Sequence, residues 1–183
     1  GLYTVTGMRE VAARTGARLN ESTDSVQVEV PSANLSHMLT VLRCAAEADL
    51  IISVGKIKTH GLTAYTGAVK NLFGLIPGTL KVDYHARFPD IRDFCLGLMD
   101  VVAWAKPCLS VLDGVWGMEG KGPSGGSPRK IGALVVSENP HAADVVGAGL
   151  IGLAPEEVPT LRAAREIGVL PEVRVLKEAL AAL

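Results

Sequence analysis

The chain has 183 residues, of which 48% are apolar and 20% charged, with a formal net charge of −1. That length suits one domain with a real core, and the composition excludes a disordered segment. A charge so near zero argues against a general nucleic-acid binder, and no run approaches the roughly 20 apolar residues of a membrane span, so the expected setting is cytoplasmic with neither nucleic acid nor membrane as partner.

From Thr6, the spacing of Met8, Val11 and Ala12 predicts a short helix that Gly16 ends. Val26, Val28 and Val30 alternate with Gln27 and Glu29, which predicts a half-exposed strand closed by Pro31. Ser32 or Asn34 then serves as the cap of an expected helix whose apolar face is Leu35, Met38, Leu39, Leu42, Ala45 and Ala46. Leu50, Ile51, Ile52 and Val54 read as a strand buried on both faces, the usual state in a parallel sheet. Helical spacing resumes from Thr63 to Phe73, and Gly74 and Pro77-Gly78 stop it.

Residues 79 to 88 show no period, carry Lys81, Asp83, His85 and Arg87 at alternate positions, and read as a loop or short strand. Ile91, Phe94, Cys95, Leu98, Val101 and Val102 give the most regular amphipathic helix of the chain. Cys108 to Leu112 is the next apolar strand, ending in Asp113-Gly114. The glycine-rich stretch from Gly114 to Pro128 reads as a long binding loop or lid. Ile131 to Val136 is a third buried strand, Asn139-Pro140 opens a helix reaching Gly149, and another helix runs from Thr160 to Glu166. The tail from Pro171 is expected to add a last helix. Alternating helices and apolar strands predict one α/β domain over residues 1–183, a three-layer sandwich with a mostly parallel sheet.

Basic residues are local in this nearly neutral chain. Lys56, Lys58, Lys70, Lys81 and Arg87 lie between Gly55 and Phe88 against the single carboxylate Asp83. Lys56, Lys58 and His60 alternate, so an extended chain turns all three to one side, at the carboxyl end of a strand where open α/β sheets bind ligands. This makes them an expected anion cradle, with Lys70 and Asn71 as a second group. Lys121 and Gly122 add an ammonium and backbone N–H groups on the expected loop. Asp113 and Glu119 are the carboxylates expected to face this cluster. Lys58, His60, Asp113 and Glu119 are therefore the catalytic candidates, and Lys56, Lys70, Asn71, Lys121 and Gly122 the anion-binding ones. His60, His85, Asp113, Glu119 and Asp144 are candidate ligands of a divalent metal. For Asp113 the competing reading is a turn residue beside glycine, and for Asp144 a first-turn charge favoured by the helix dipole.

Cys44, Cys95 and Cys108 are widely spaced in apolar segments and read as reduced core residues, matching neither a zinc ribbon nor a ferredoxin motif. The glycine-rich stretch lacks a Walker motif, and no G-x-S-x-G elbow is present.

The runs VGKIKTHGLTAYTGAVKNLFG, VLDGVWGMEGKGPSGG and SENPHAADVVGAGLIG resemble the signature blocks of the domain of unknown function 362 family, and the resemblance extends from Thr6-Gly7-Met8 to Ile167-Gly168. Carried over by position, it singles out Lys56, Lys58, His60, Gly67, Lys70, Asn71, Gly74, Asp113, Gly114, Glu119, Gly122, Pro123 and Asp144. Many members look like iron-sulfur proteins because ferredoxin-type cysteine motifs lie in the same chain. With three scattered cysteines this chain is expected to hold no cluster itself, so a redox role requires a ferredoxin-type domain or partner. The family pattern also implies an earlier strand before Gly1, so the domain is expected to be incomplete at its N-terminus. The leading expectation is an enzyme domain that binds a small anionic substrate or cofactor. The alternative is a non-catalytic module that docks an acidic ferredoxin-like carrier.

Overall fold

A computed structural model describes residues 1–173 of the chain. The first elements are α1 (Leu2–Val5) and α2 (Met8–Thr15), and α2 ends where Gly16 adopts φ 77°. The alternating valines form β1 (Ser25–Glu29), which pairs antiparallel with β2 (Met38–Leu42) as a separate two-stranded sheet.

The expected helix over Leu35 to Ala46 is therefore β2 followed by one turn, α3 (Arg43–Ala46). Leu39 and Val41 point inward two residues apart, the period of a strand, whereas the expected helical face ran from Leu39 to Leu42 and left Val41 outside it. A remote residue decides between the two. Asp100 accepts hydrogen bonds from the backbone N–H groups of Asn34, Leu35 and Ser36, at 2.6, 3.0 and 2.9 Å, and from Asn34 Nδ2 at 3.0 Å. Asn34 thus caps no helix, and the turn before β2 is anchored to the core.

The main sheet has the order β4-β3-β5-β6, with β3 (Ile52–His60), β4 (Ala64–Thr66), β5 (Leu109–Lys121) and β6 (Gly125–Ser137). Between β4 and β5 come α4 (Ala68–Leu72), a 3₁₀ turn (Phe73–Leu75), α5 (Gly78–Arg87) and α6 (Ile91–Ala105). After β6 follow α7 (Pro140–Leu150), capped by Asn139, a 3₁₀ turn (Pro155–Glu157) and α8 (Pro159–Glu166). The expected last helix lies mostly outside the described residues. Of the three strand pairs only β3–β5 is parallel, running from Ile52 opposite Leu109 to Lys56 opposite Asp113. The sheet is mixed, not mostly parallel.

The cause is the glycine-rich stretch, which forms no loop or lid. β5 continues through it to Lys121, and β6 returns antiparallel from Gly125. Glycine here serves close packing, since a Cβ at Gly126 would overlap the Glu119 carbonyl and one at Gly122 the Thr59 carbonyl. The stretch from residue 79 to 88 is also corrected, from loop to helix α5. Leu80, Tyr84 and Phe88, at i, i+4 and i+8, pack on the core, while the alternating charges have no structural meaning.

Two clusters form the core. One lies around α6, with Phe94, Leu98 and Val101 against Val41, Leu72, Phe73 and Ala164. The other joins the inner sheet residues Ile57, Leu112 and Val135 to Ala143 and Ala148 of α7 and Leu161 of α8. The opposite face of the sheet is open: Ile52 is 57% exposed and Val54 64%, beside exposed Leu134 and Val136. β3 is thus buried on one face, not two. Cys95 is a core residue as expected, whereas Cys44 and Cys108 are free and exposed.

Candidate functional site

β3 and β5 bring the first two signature runs side by side as paired strands. Lys56 and Asp113 are register neighbours, and the ammonium donates to the Asp113 carboxylate at 2.6 Å and to the Trp116 carbonyl at 2.7 Å. This hydrogen bond and charge, helped by the Val115 N–H, hold the Asp113 carboxyl below its usual range. Lys56 is thereby committed to a carboxylate. Past a register shift in the pairing comes Lys58, and both lysines line an open groove of about 450 Å³ with Trp116, Met118 and Pro123. The Lys58 side chain has no hydrogen bond or ion pair among the described residues.

Past Lys58 the strand carries His60, and a second group of basic side chains converges there. His60 Nδ1 accepts from the N–H groups of Leu62 and Thr63 at 3.0 and 3.2 Å. An accepting Nδ1 leaves the single proton of neutral imidazole on Nε2, so His60 is a fixed donor. Burial first, then the charges of Lys70 and His85, lower its pKa. Lys70, on α4, lies 4.5 Å above the Phe73 ring and 5.1 Å from the Phe94 ring. His85, on α5, stacks on Phe94 with centroids 4.6 Å apart. Lys81 is 5.6 Å from the Phe73 ring.

Burial, then the neighbouring Lys81, brings the Lys70 pKa down to about 8. Aromatic faces attract a cation by about 0.5–2 kcal/mol, which does not replace lost water, so desolvation decides the direction. His85 and Lys81 are lowered by burial as well. No carboxylate contributes to any of these shifts, and none pairs with these groups among the described residues.

The other expected residues lie elsewhere. Glu119 pairs across the hairpin with Arg129 at 3.4 Å, and Asp113 with Lys56, so neither carboxylate is committed to His60. Asn71 Nδ2 donates to Ser53 Oγ at 3.0 Å and the Val54 carbonyl at 3.3 Å, tying α4 to β3. Lys121 is exposed, and the Gly122 N–H is spent on the Gly120 carbonyl at 2.8 Å. The Gly122 carbonyl accepts from Gly61 N–H at 3.2 Å, so this glycine closes the hairpin onto the β3 end.

Asp144 is buried and accepts from the N–H groups of Ala68 and Val69, which cap α4 across the molecule. It is neither exposed to an anion nor a first-turn charge of its own helix. A Cβ at Gly67 would overlap both its Oδ1 and the Tyr65 hydroxyl, which explains the glycine there. Among the described residues no group of three or more His, Cys, Asp or Glu side chains is placed to hold a metal.

Two residues outside the expected set matter. Lys81 joins the basic group because α5 is a helix, which the alternating charges concealed. Asp100 anchors the turn before β2; its only sequence signal is a carboxylate within the apolar pattern of α6.

The family model described as Domain of unknown function (DUF362) matches residues 1–149. The Thylakoid-associated protein sll1697 of Synechocystis sp. is 37% identical over 128 residues, covering 69% of this chain and 40% of that protein. The chain thus spans about 40% of the length of the relative it matches. No solved structure matches.

Proposed function

This chain belongs to the DUF362 family, and from that premise we propose that it is an enzyme domain whose basic group of His60, Lys70, Lys81 and His85 takes a small anionic substrate or cofactor. One observation carries the reading: Lys70, Lys81 and His85 lie against the Phe73 and Phe94 rings, His60 is within their electrostatic reach, and no carboxylate neutralises the group. Two ammonium groups partly withdrawn from water are costly unless an anion completes them. Lys70 and Lys81 supply charge, and His60 supplies a directed N–H. Lys58, in its open groove, is a further contact for a longer ligand, while Lys56 and Asp113 shape the strand end between them.

Perturbed groups near a strand end favour a catalytic over a purely structural role. In this reading Lys70 is the reactive amine, since a lysine near pKa 8 is partly neutral at physiological pH. A redox step that uses an iron-sulfur cluster takes it from a separate segment or partner, the three cysteines being free and scattered. A cytoplasmic setting belongs to the same proposal. No helix among the described residues is long and apolar enough to cross a membrane. The relative's name associates that protein with thylakoids.

The test is a thermal-shift and calorimetric screen of sulfate, phosphorylated metabolites and dicarboxylates against the wild type, Lys70→Gln and Lys58→Ala. Stabilisation lost in Lys70→Gln supports the reading. Stabilisation lost only in Lys58→Ala moves the site to the groove, and the absence of any anion effect overturns it.

A second reading has its own observation. Exposed Lys130 is the register partner of exposed Trp116, and Lys56 and Lys58 line the groove beside that tryptophan, a surface suited to docking an acidic ferredoxin-type protein. Its signature is association that weakens steeply between low and high salt, and that Lys130→Glu reduces. Salt-independent association excludes it.

A further inference from the structure

His141, the second residue of α7, is 6% exposed, and neither ring nitrogen has a hydrogen-bond partner among the described residues. A buried polar group left unpaired is rare in folded proteins, because the unmade bond is costly. Nδ1 is sealed from solvent. A buried N–H without a partner is rarer than a bare acceptor, which puts the proton of the neutral ring on Nε2 and leaves Nδ1 as the lone pair. Nε2 is thus a donor with nothing to donate to. Burial pushes the pKa of this ring down to about 4, so it carries no charge at physiological pH.

The imidazole lines a cavity of about 310 Å³, at the small end of the range for small-molecule sites. The cavity lies between the first turn of α7, the second half of α6, the turn before β2 and the segment after α8. Met99 and Val102, 2% and 9% exposed, form its floor with His141, while exposed Ser32 and Asn34 stand at its mouth. The mouth is fixed to the floor: Asp100, next to Met99 on α6, accepts from the Asn34 N–H and Nδ2 at 2.6 and 3.0 Å. Charge then selects the class of ligand. No lysine, arginine, aspartate or glutamate lines the cavity among the described residues, so it neutralises neither an anion nor a cation. It offers apolar area, a thioether that favours aromatic rings, and one N–H.

We infer that this cavity binds a small neutral molecule with an aromatic ring and one carbonyl oxygen, the ring lying against Met99 and Val102 and the oxygen accepting from His141 Nε2. A hydrocarbon of the same shape leaves that donor unpaired, and a carboxylate finds no cation. The site shares no residue with the basic group around Lys70, and it stands without the function proposed above.

Acetophenone is the probe, with ethylbenzene supplying the same shape without the oxygen and benzoate the same ring with a charge. An NMR titration of the full chain is expected to show saturable acetophenone binding, with ethylbenzene about threefold to tenfold weaker, the range for one hydrogen bond, and benzoate weaker still. His141→Phe keeps a ring and removes the donor, and is expected to bind acetophenone and ethylbenzene equally. Ala103→Trp, which fills the cavity, is expected to remove binding of both with the far-UV spectrum unchanged. Should either variant fail to fold, photolabelling of the wild type with benzophenone decides, with labelling expected on the peptides holding residues 99–103 and 167–169. No saturable binding, equal binding of ethylbenzene or benzoate by the wild type, an unchanged preference in His141→Phe, or labelling confined to other peptides overturns the assignment.

Discussion

The Asp144 carboxylate, on α7, accepts the N–H groups of Ala68 and Val69 at 2.6 and 3.1 Å, so one buried side chain starts the helix that carries Lys70. Asp144→Ala leaves two buried donors unpaired, at about 1–3 kcal/mol each. The expected loss is about 2–6 kcal/mol of unfolding free energy in urea. Burial raises the Asp144 pKa to about 7, against its helix-capping hydrogen bonds. An unfolded aspartate titrates near 4, so from about pH 4 to 7 the folded state keeps a proton that the unfolded state loses. This contribution to stability therefore declines as pH rises through that window. Asp144→Asn has no such proton, and the difference between wild type and variant is expected to move in favour of the variant from pH 4 to 8. A difference independent of pH refutes the assignment.

Asp100 gathers the backbone of Asn34, Leu35 and Ser36 and thereby sets the start of β2. Asp100→Ala is expected to cost about 3–5 kcal/mol, in the range for breaking a buried charged network. Hydrogen exchange locates the effect: amides of residues 34–42 are expected to lose protection before those of β5. Uniform loss across both sheets contradicts a local anchor.

These two aspartates mark how far sequence alone carries the fold. The elements legible in advance have one period and clear ends: α2 with Gly16, α6, α7 with Asn139-Pro140, and α8. The misread elements are those that a remote partner decides. Leu35, Met38, Leu39 and Leu42 have helical spacing until Asp100 draws the preceding turn away and Leu39 and Val41 turn inward as strand residues, and the glycines after Gly114 look flexible until β6 pairs with them. At the candidate site, the basic residues themselves were legible. Their grouping was legible in part: alternation along β3 does bring Lys56 and Lys58 to one groove, although Asp113 claims the Lys56 ammonium, whereas only the fold of α4 and α5 gathers Lys70, Lys81 and His85 near His60. Asp144 was legible as a notable residue, but its role is structural.

Lys56 and Asp113 form a close pair that is 42% and 39% exposed, and exposed pairs contribute about 0–1 kcal/mol. Lys56→Met is thus expected to change unfolding free energy by less than about 1 kcal/mol. The Asp113 pKa is lowered, chiefly by the Lys56 hydrogen bond. Its contribution is present above the ordinary aspartate range and disappears as pH falls through the lower folded value. Wild type and variant are therefore expected to converge in acid and to differ most near neutrality. A loss of several kcal/mol at pH 7 means that the pair holds up more than itself.

Lys70 supplies the sharpest pH test of the anion site. Its pKa of about 8 reflects burial first and Lys81 second, so the ammonium is largely protonated at pH 7 and largely neutral at pH 9.5. Sulfate keeps a constant charge over this range, so any change in its affinity belongs to the protein. Binding that requires the ammonium weakens about tenfold per pH unit above the free pKa, which predicts a loss of roughly tenfold or more between pH 7 and 9.5. His60 and His85 titrate below their ordinary value and contribute a second gain only in acid. Lys70→Gln is expected to abolish the alkaline limb while leaving the acid one. An unchanged alkaline limb in that variant assigns the titration to another lysine, and sulfate affinity flat across the whole range removes the basic group from the binding site.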